Sequence, residues 1–248
     1  MRWGRAMRLS VLWVLAALLP SVAKAETISV AVASNFTSTA EQLAPLFKAE
    51  TGHDVSYSFG STGQLYAQIS QGAPFQVFLA ADAQRPALVV AEGLGVDGTA
   101  FTYALGSLAL YSTSMDVSSG EAVLQVGVFD KLAIADPVSA PYGQAALETL
   151  ERLDLLEEIE PKLVTGENIG QTLQFVESGS AELGFVAASQ VLGKAGVWPV
   201  PQSLYAPIRQ DAVLLKTGED SEGARAFIDF LHSETARAVI EASGYRVE

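Results

Sequence analysis

Four short segments carry groups able to hold a small anion: Ser34-Asn35, Gly60-Ser61-Thr62-Gly63, Ala140-Pro141-Tyr142-Gly143 and Glu167-Asn168-Ile169-Gly170. Each stands where an extended run or a loop gives way to a helical pattern. A helix start exposes unpaired N–H groups and about half a positive charge. Hydroxyls, an amide side chain and free backbone N–H groups can all donate to an oxyanion without bringing a formal charge. Taken singly, each junction is also an ordinary cap, because Ser, Thr and Asn are the usual N-cap residues and Gly shapes turns. Together they make an anion site only if the fold turns them toward one another, which periodicity does not decide.

Other candidate chemistry falls away. Gly93-Leu94-Gly95-Val96-Asp97-Gly98 matches a dinucleotide fingerprint by letters, yet it follows a helical stretch and leads into a strand, so it reads as a turn. His53 and His232 are the only histidines, and neither has a partner at metal-ligand spacing. Both are expected at solvated positions. There is no Gly-x-Ser-x-Gly elbow, and the chain contains no cysteine. A hydrolase of that kind thus lacks its nucleophile, and an enzyme is not expected. Trp198 and Tyr205 read as loop packing.

The elements that must position the four junctions alternate strand with helix. Residues 27–33 form a β-rich run before Ser34, and a helix follows with Leu43, Leu46 and Phe47 on one face. Ser38 and Glu41 have capping-box spacing at its start, and Gly52 ends it. Strands are predicted at 54–59 and 77–80, with helices after Gly63 and over 82–92. The rhythm changes near Tyr103. A single long strand is expected over 105–111, and another over 208–216. Between them lie strand 132–135, helix 143–153, helix 169–177 and strand 183–187, and helices 225–231 and 235–242 close the chain. Such alternation argues for parallel sheets covered on both faces. The economical arrangement is α/β with two lobes: residues 26–104 plus 211–248 as lobe one, and 105–210 as lobe two. Hinges are expected near 105–109 and 212–215.

The first 25 residues read as an export signal. Arg2, Arg5 and Arg8 precede an apolar run over 9–19, and Ala23-Lys24-Ala25 supplies a small-x-small cleavage pattern, so cutting is expected after Ala25. The apolar run is too short to span a bilayer. An exported chain without cysteine fits a bacterial periplasm, with neither disulfides nor a lipid anchor on cysteine. Cleavage would remove four of the 15 basic residues and none of the 28 acidic ones, leaving a net charge of −17. Such a surface repels nucleic acid and anionic lipid. An anion would have to be held by local dipoles.

At these junctions the chain resembles the periplasmic molybdate-binding proteins of ABC importers. The resemblance rests on Ser58-Phe59-Gly60-Ser61-Thr62-Gly63, the stretch from Gly72 to Asp82, Ala140-Pro141-Tyr142-Gly143, Glu167-Asn168-Ile169 and Leu183-Gly184-Phe185-Val186-Ala187, in that order. It implies a two-lobed periplasmic binding protein fold of type II, with the ligand in the interlobe cleft. It further implies molybdate or tungstate as ligand and an ABC importer permease in the inner membrane as partner; no cofactor is expected, and a monomer is the default. Carried over by position, the ligand donors would be the hydroxyls or amide of Ser34, Asn35 and Thr62, with Ser61 beside them. The second lobe would supply Tyr142 and the backbone N–H of Ile169. Some members place a tyrosine just after the Leu-Gly-Phe-Val strand, where this chain has Ala187, so Tyr142 is the residue left to supply an aromatic hydroxyl. A binder of sulfate or phosphate, or an oxyanion sensor domain, are the alternatives.

Overall fold

The β-branched run that opens the described part of the chain, residues 25–248 of this computed structural model, forms β1 (Thr27–Ala33). The expected export signal lies outside the described residues, apart from its last position, Ala25. β1 leads through a 3-10 turn (Ser34–Phe36) into α1 (Thr37–Thr51), which Gly52 ends at φ 79°. Next come β2 (Asp54–Gly60), α2 (Thr62–Ser70), β3 (Val77–Leu79), α3 (Gln84–Ala91) and β4 (Phe101–Gly106). The middle of the chain runs β5 (Leu108–Tyr111), α4 (Glu121–Val126), β6 (Leu132–Ala135), α5 (Pro141–Arg152), α6 (Leu156–Ile159) and β7 (Leu163–Gly166). It continues with α7 (Ile169–Glu177), β8 (Leu183–Ala187) and β9 (Val197–Pro199). β10 (Ile208–Leu214), α8 (Glu222–Leu231) and α9 (Glu234–Ala242) complete it.

The strands form two five-stranded sheets with matching layouts, β2-β1-β3-β10-β4 and β7-β6-β8-β5-β9. In each, the first three strands are parallel, and the fourth runs antiparallel to both neighbours. The sheets are therefore mixed, where alternation alone predicts parallel ones. The fourth strand in each, β10 or β5, is the one that begins directly after a crossing between lobes. The expected single strand over 105–111 is in fact two. Leu105 pairs with Arg209 in the first sheet and Leu108 with Ala187 in the second. The break falls at Ser107, whose carbonyl accepts from Ala188 N–H at 2.8 Å. The return crossing lies just before Ile208. The hinge expected at 212–215 falls instead inside the first sheet, where Ala212 to Leu214 pair with β3.

Strand alternation sends side chains to both faces of each sheet, and helices cover both. Ile28, Val30 and Val32 of β1 pack with Leu43 and Phe47 of α1 and Phe227 of α8. Ala31, Phe78 and Val213 face the other way, onto Leu65 and Ile69 of α2 and Val89 of α3. In the second sheet, Leu108, Ile134 and Phe185 meet α5, while Ala109, Ala133 and Val186 meet Val176 of α7. Each such fully buried valine, leucine, isoleucine or phenylalanine contributes on the order of 1.5–3 kcal/mol.

Three local expectations need correcting. The capping box at Ser38 and Glu41 does not form. α1 begins one residue earlier, at Thr37, whose hydroxyl donates to the Ser34 carbonyl at 2.9 Å, and Ser38 and Glu41 are exposed. The box belongs to α2, where Ser61 and Gln64 cap each other. His53 is not solvated: it is 4 % exposed, its Nδ1 accepts from Glu26 N–H at 3.1 Å, and its ring stacks on Phe47. α5 starts at Pro141, two residues before the predicted position, because proline suits the first turn of a helix. Among the described residues no helix is long and apolar enough to cross a membrane.

Candidate functional site

The four junctions meet. The 3-10 turn after β1, the N-terminus of α2, that of α5 and that of α7 all face one small cavity between the lobes. It is lined by Ala33, Ser34, Asn35, Gly60, Ser61, Thr62, Ala81, Ala140, Pro141, Tyr142 and Ile169. All six residues singled out from the sequence are among them. The cavity volume is about 10 Å³, far below the roughly 300–1,000 Å³ of sites for drug-sized ligands, so only a small group such as a compact ion suits it. No charged side chain lines it among the described residues. A wider groove opens between α1 and α7, but Glu41 and Glu167 are on its walls, which disfavours it as the seat of an anion.

Local sequence explains why each junction offers donors. Ser61 caps α2 by accepting from Gln64 N–H at 3.4 Å, and the Thr62 hydroxyl accepts from Ala81 N–H at 2.9 Å. A hydroxyl that already accepts keeps its own proton to give. Both residues are buried. In lobe two, Asn168 caps α7 by accepting from the N–H groups of Gly170 and Gln171 at 2.9 and 3.1 Å. The Ile169 N–H, at the first helical position, has no acceptor within the helix.

Asn35 departs from its expected part. Its Nδ2 donates to Gln210 Oε1 at 2.7 Å and to the Tyr245 hydroxyl at 3.1 Å. The side-chain amide is committed inside lobe one, and what Asn35 can offer the cavity is its backbone N–H in the first turn.

Tyr142 is 1 % exposed, and its hydroxyl has no hydrogen-bond partner. Burial pushes the phenol well above its ordinary range, and the neighbouring phenols of Tyr245, Tyr103 and Tyr205 add to this; the nearby Gln210 amide acts the other way. The group therefore holds its proton at neutral pH and can only be a donor to an anion. Ala187, the departure noted in the sequence, ends β8 outside the cavity lining.

The lobes touch around the cavity. Gly63 N–H donates to the Ser139 carbonyl at 2.8 Å, and a Cβ built on Gly63 would stand 2.9 Å from Ser139 Cα. Arg85, held by Asp82, donates to the Val138 carbonyl at 2.8 Å. The Ser189 hydroxyl donates to that of Tyr245 at 2.9 Å. Sequence reasoning missed Gln210, Tyr245 and Arg85. Gln210 lies 175 residues from Asn35 and Tyr245 lies 210, and no local pattern joins them.

Residues 28–246 match the family described as bacterial extracellular solute-binding proteins. The chain is 51 % identical to the molybdate-binding protein of Rhodobacter capsulatus, over 91 % of this chain and 90 % of the relative. It is 48 % identical to that of Azotobacter vinelandii, over 94 % and 95 %. Its fold superposes on the solved periplasmic molybdate-binding protein of Azotobacter vinelandii with a TM-score of 0.86 at 36 % identity, covering 89 % of this chain and 99 % of the other. The chain belongs to the bacterial extracellular solute-binding proteins, in the branch formed by the molybdate-binding proteins.

Proposed function

We infer that this protein binds molybdate in the periplasm, takes tungstate in the same site, and delivers the anion to an ABC-type membrane importer. The observation that carries the reading is the convergence of four helix-start segments from both lobes on one small cavity without a charged wall. A buried dianion is costly unless it is hydrogen-bonded. Here Ser34, Ser61, Thr62 and Tyr142 supply hydroxyls, and Asn35 and Ile169 supply backbone N–H groups at positive helix ends. Each charge-assisted bond contributes about 1.5–3 kcal/mol. A shell of donors has no acceptor for the proton of hydrogen phosphate. Sulfate, an unprotonated dianion like molybdate, is distinguished by size alone.

Binding needs no cofactor and no catalytic group, and the protein acts as a monomer that presents its closed lobes to a permease. Residues 1–25 direct export and are cut after Ala25, which N-terminal sequencing of periplasmic protein tests by starting at Glu26. A thermal-shift panel of molybdate, tungstate, sulfate and phosphate tests the ligand. At 100 times its dissociation constant, a bound ligand adds about 2.7 kcal/mol, or roughly 5–10 °C for a chain of this size. Molybdate and tungstate should produce that shift. A shift from sulfate or phosphate with none from molybdate would overturn the assignment.

A further inference from the structure

Behind the cavity wall runs a chain of buried polar side chains whose hydrogen bonds all have a direction. Tyr245 donates to the Asn35 carbonyl at 2.8 Å. Its one proton is thereby used, so its oxygen accepts from Ser189 Oγ at 2.9 Å and from Asn35 Nδ2 at 3.1 Å. Asn35 Nδ2 also donates to Gln210 Oε1 at 2.7 Å, while the Tyr103 hydroxyl, 3.4 Å from the same oxygen, is closer to the Ala80 carbonyl at 3.1 Å. The Asn35 contact assigns the oxygen end of the Gln210 amide.

Gln210, on β10, has no exposed surface, and its Nε2 is buried without a partner. The only other orphaned polar atoms of this kind among the described residues are the hydroxyls of Tyr142 and Tyr57. Gln210 Nε2 and Tyr142 Oη flank the same bare backbone: a Cβ built on Gly106 would stand 2.9 Å from the first and 2.2 Å from the second. A donor without an acceptor thus lies beside a phenol oxygen without a donor, and glycine leaves the space between them clear.

We propose that Gln210 is the positioning residue that sets the direction of the Tyr142 hydroxyl: its Nε2–H donates to the phenol oxygen, and the phenol proton is thereby delivered into the cavity. The inference rests on the reading of the cavity as an oxyanion site and deepens it. With its oxygen occupied by Gln210, Tyr142 gives a ligand a proton and offers nothing to accept one. Gln210 then contributes to the preference for fully deprotonated anions without touching them. The same chain ties this orientation to lobe closure, because its first donor, Ser189, belongs to lobe two and Tyr245 to lobe one.

A double-mutant cycle tests this. Molybdate affinity is measured by calorimetry for the wild type, Gln210→Leu, Tyr142→Phe and the double variant, with circular dichroism confirming that each is folded. Gln210→Met, run through the same cycle, serves as the second variant should the leucine not fold. Gln210→Leu should weaken binding about tenfold in the wild type, the effect of one directional hydrogen bond. In the Tyr142→Phe background the same change should cost less than about twofold. Equal losses in both backgrounds would mean that Gln210 acts by packing alone, and the proposal would be wrong. A wild type that gives no heat with molybdate would overturn the reading of the cavity itself, an outcome recognisable before any variant is made.

Discussion

Tyr142→Phe separates binding from folding because the two effects carry opposite signs. The hydroxyl is buried, its proton has no acceptor within the fold, and it lies on the cavity wall. A buried polar group left unpaired costs about 1–3 kcal/mol of its lost hydration. Replacing the phenol by phenyl keeps the ring packed and removes that cost, so the ligand-free protein should be stabilised by about 1 kcal/mol, or roughly 2–4 °C in Tm. With ligand present the balance reverses. A donor to a dianion contributes about 1.5–3 kcal/mol, and its loss should raise the dissociation constant about 10- to 150-fold. Differential scanning calorimetry without ligand and titration calorimetry with molybdate give the two numbers on the same preparation. A lower ligand-free Tm together with unchanged affinity would refute the reasoning. It would mean that the phenol proton is bonded to an acceptor within the fold and is not aimed at the anion.

Other substitutions probe closure and pH. Gly63→Ala places a methyl 2.9 Å from Ser139 Cα across the lobes; it should leave ligand-free stability unchanged or slightly higher and weaken molybdate binding tenfold or more by calorimetry. Arg85→Ala removes the bond to the Val138 carbonyl outside the cavity. Stopped-flow displacement should show a two- to tenfold faster release with little change in association. Glu26 has its carboxyl held below the ordinary range by hydrogen bonds from Ser221 and the Gly223 N–H. A depressed folded-state pKa gives stability that is present above about pH 4.5 and lost as pH falls through the lowered value. Glu26→Gln should therefore be less stable than the wild type at neutral pH, and denaturant titrations should show the gap closing under acid conditions.

Much of this molecule can be read from residue order, and what escapes it does so for physical reasons. Thr27 to Ala33 and Leu183 to Ala187 read as strands because short apolar runs end at small residues, and α7 reads as a helix because Asn168 caps it. The junction at Ser107 escapes because both flanks favour β structure and no proline or charge marks the change of sheet. β7 and β9 are too short to show alternation. The direction of β5 and β10 is set by pairing with distant strands, which no local window contains. His53 sits in a Gly-His-Asp stretch that reads as a turn, but its burial comes from Phe47 and Glu26. At the site, the four junctions were legible because helix starts have a residue signature, and the family resemblance supplied the six candidate residues within them. The commitment of the Asn35 amide to Gln210 and Tyr245 was not, since it depends on β10 and the C-terminal tail folding back behind the cavity.

The central claim is that a strongly acidic protein holds a dianion with uncharged donors from both lobes. The most direct test is a crystal structure of the molybdate complex, with the molybdenum located by its anomalous scattering. The metal should lie among Ser34, Ser61, Thr62, Tyr142 and the N–H groups of Asn35 and Ile169, with no lysine or arginine touching its oxygens. A peak against Arg85 or another cation, or one that contacts only a single lobe, would contradict the account.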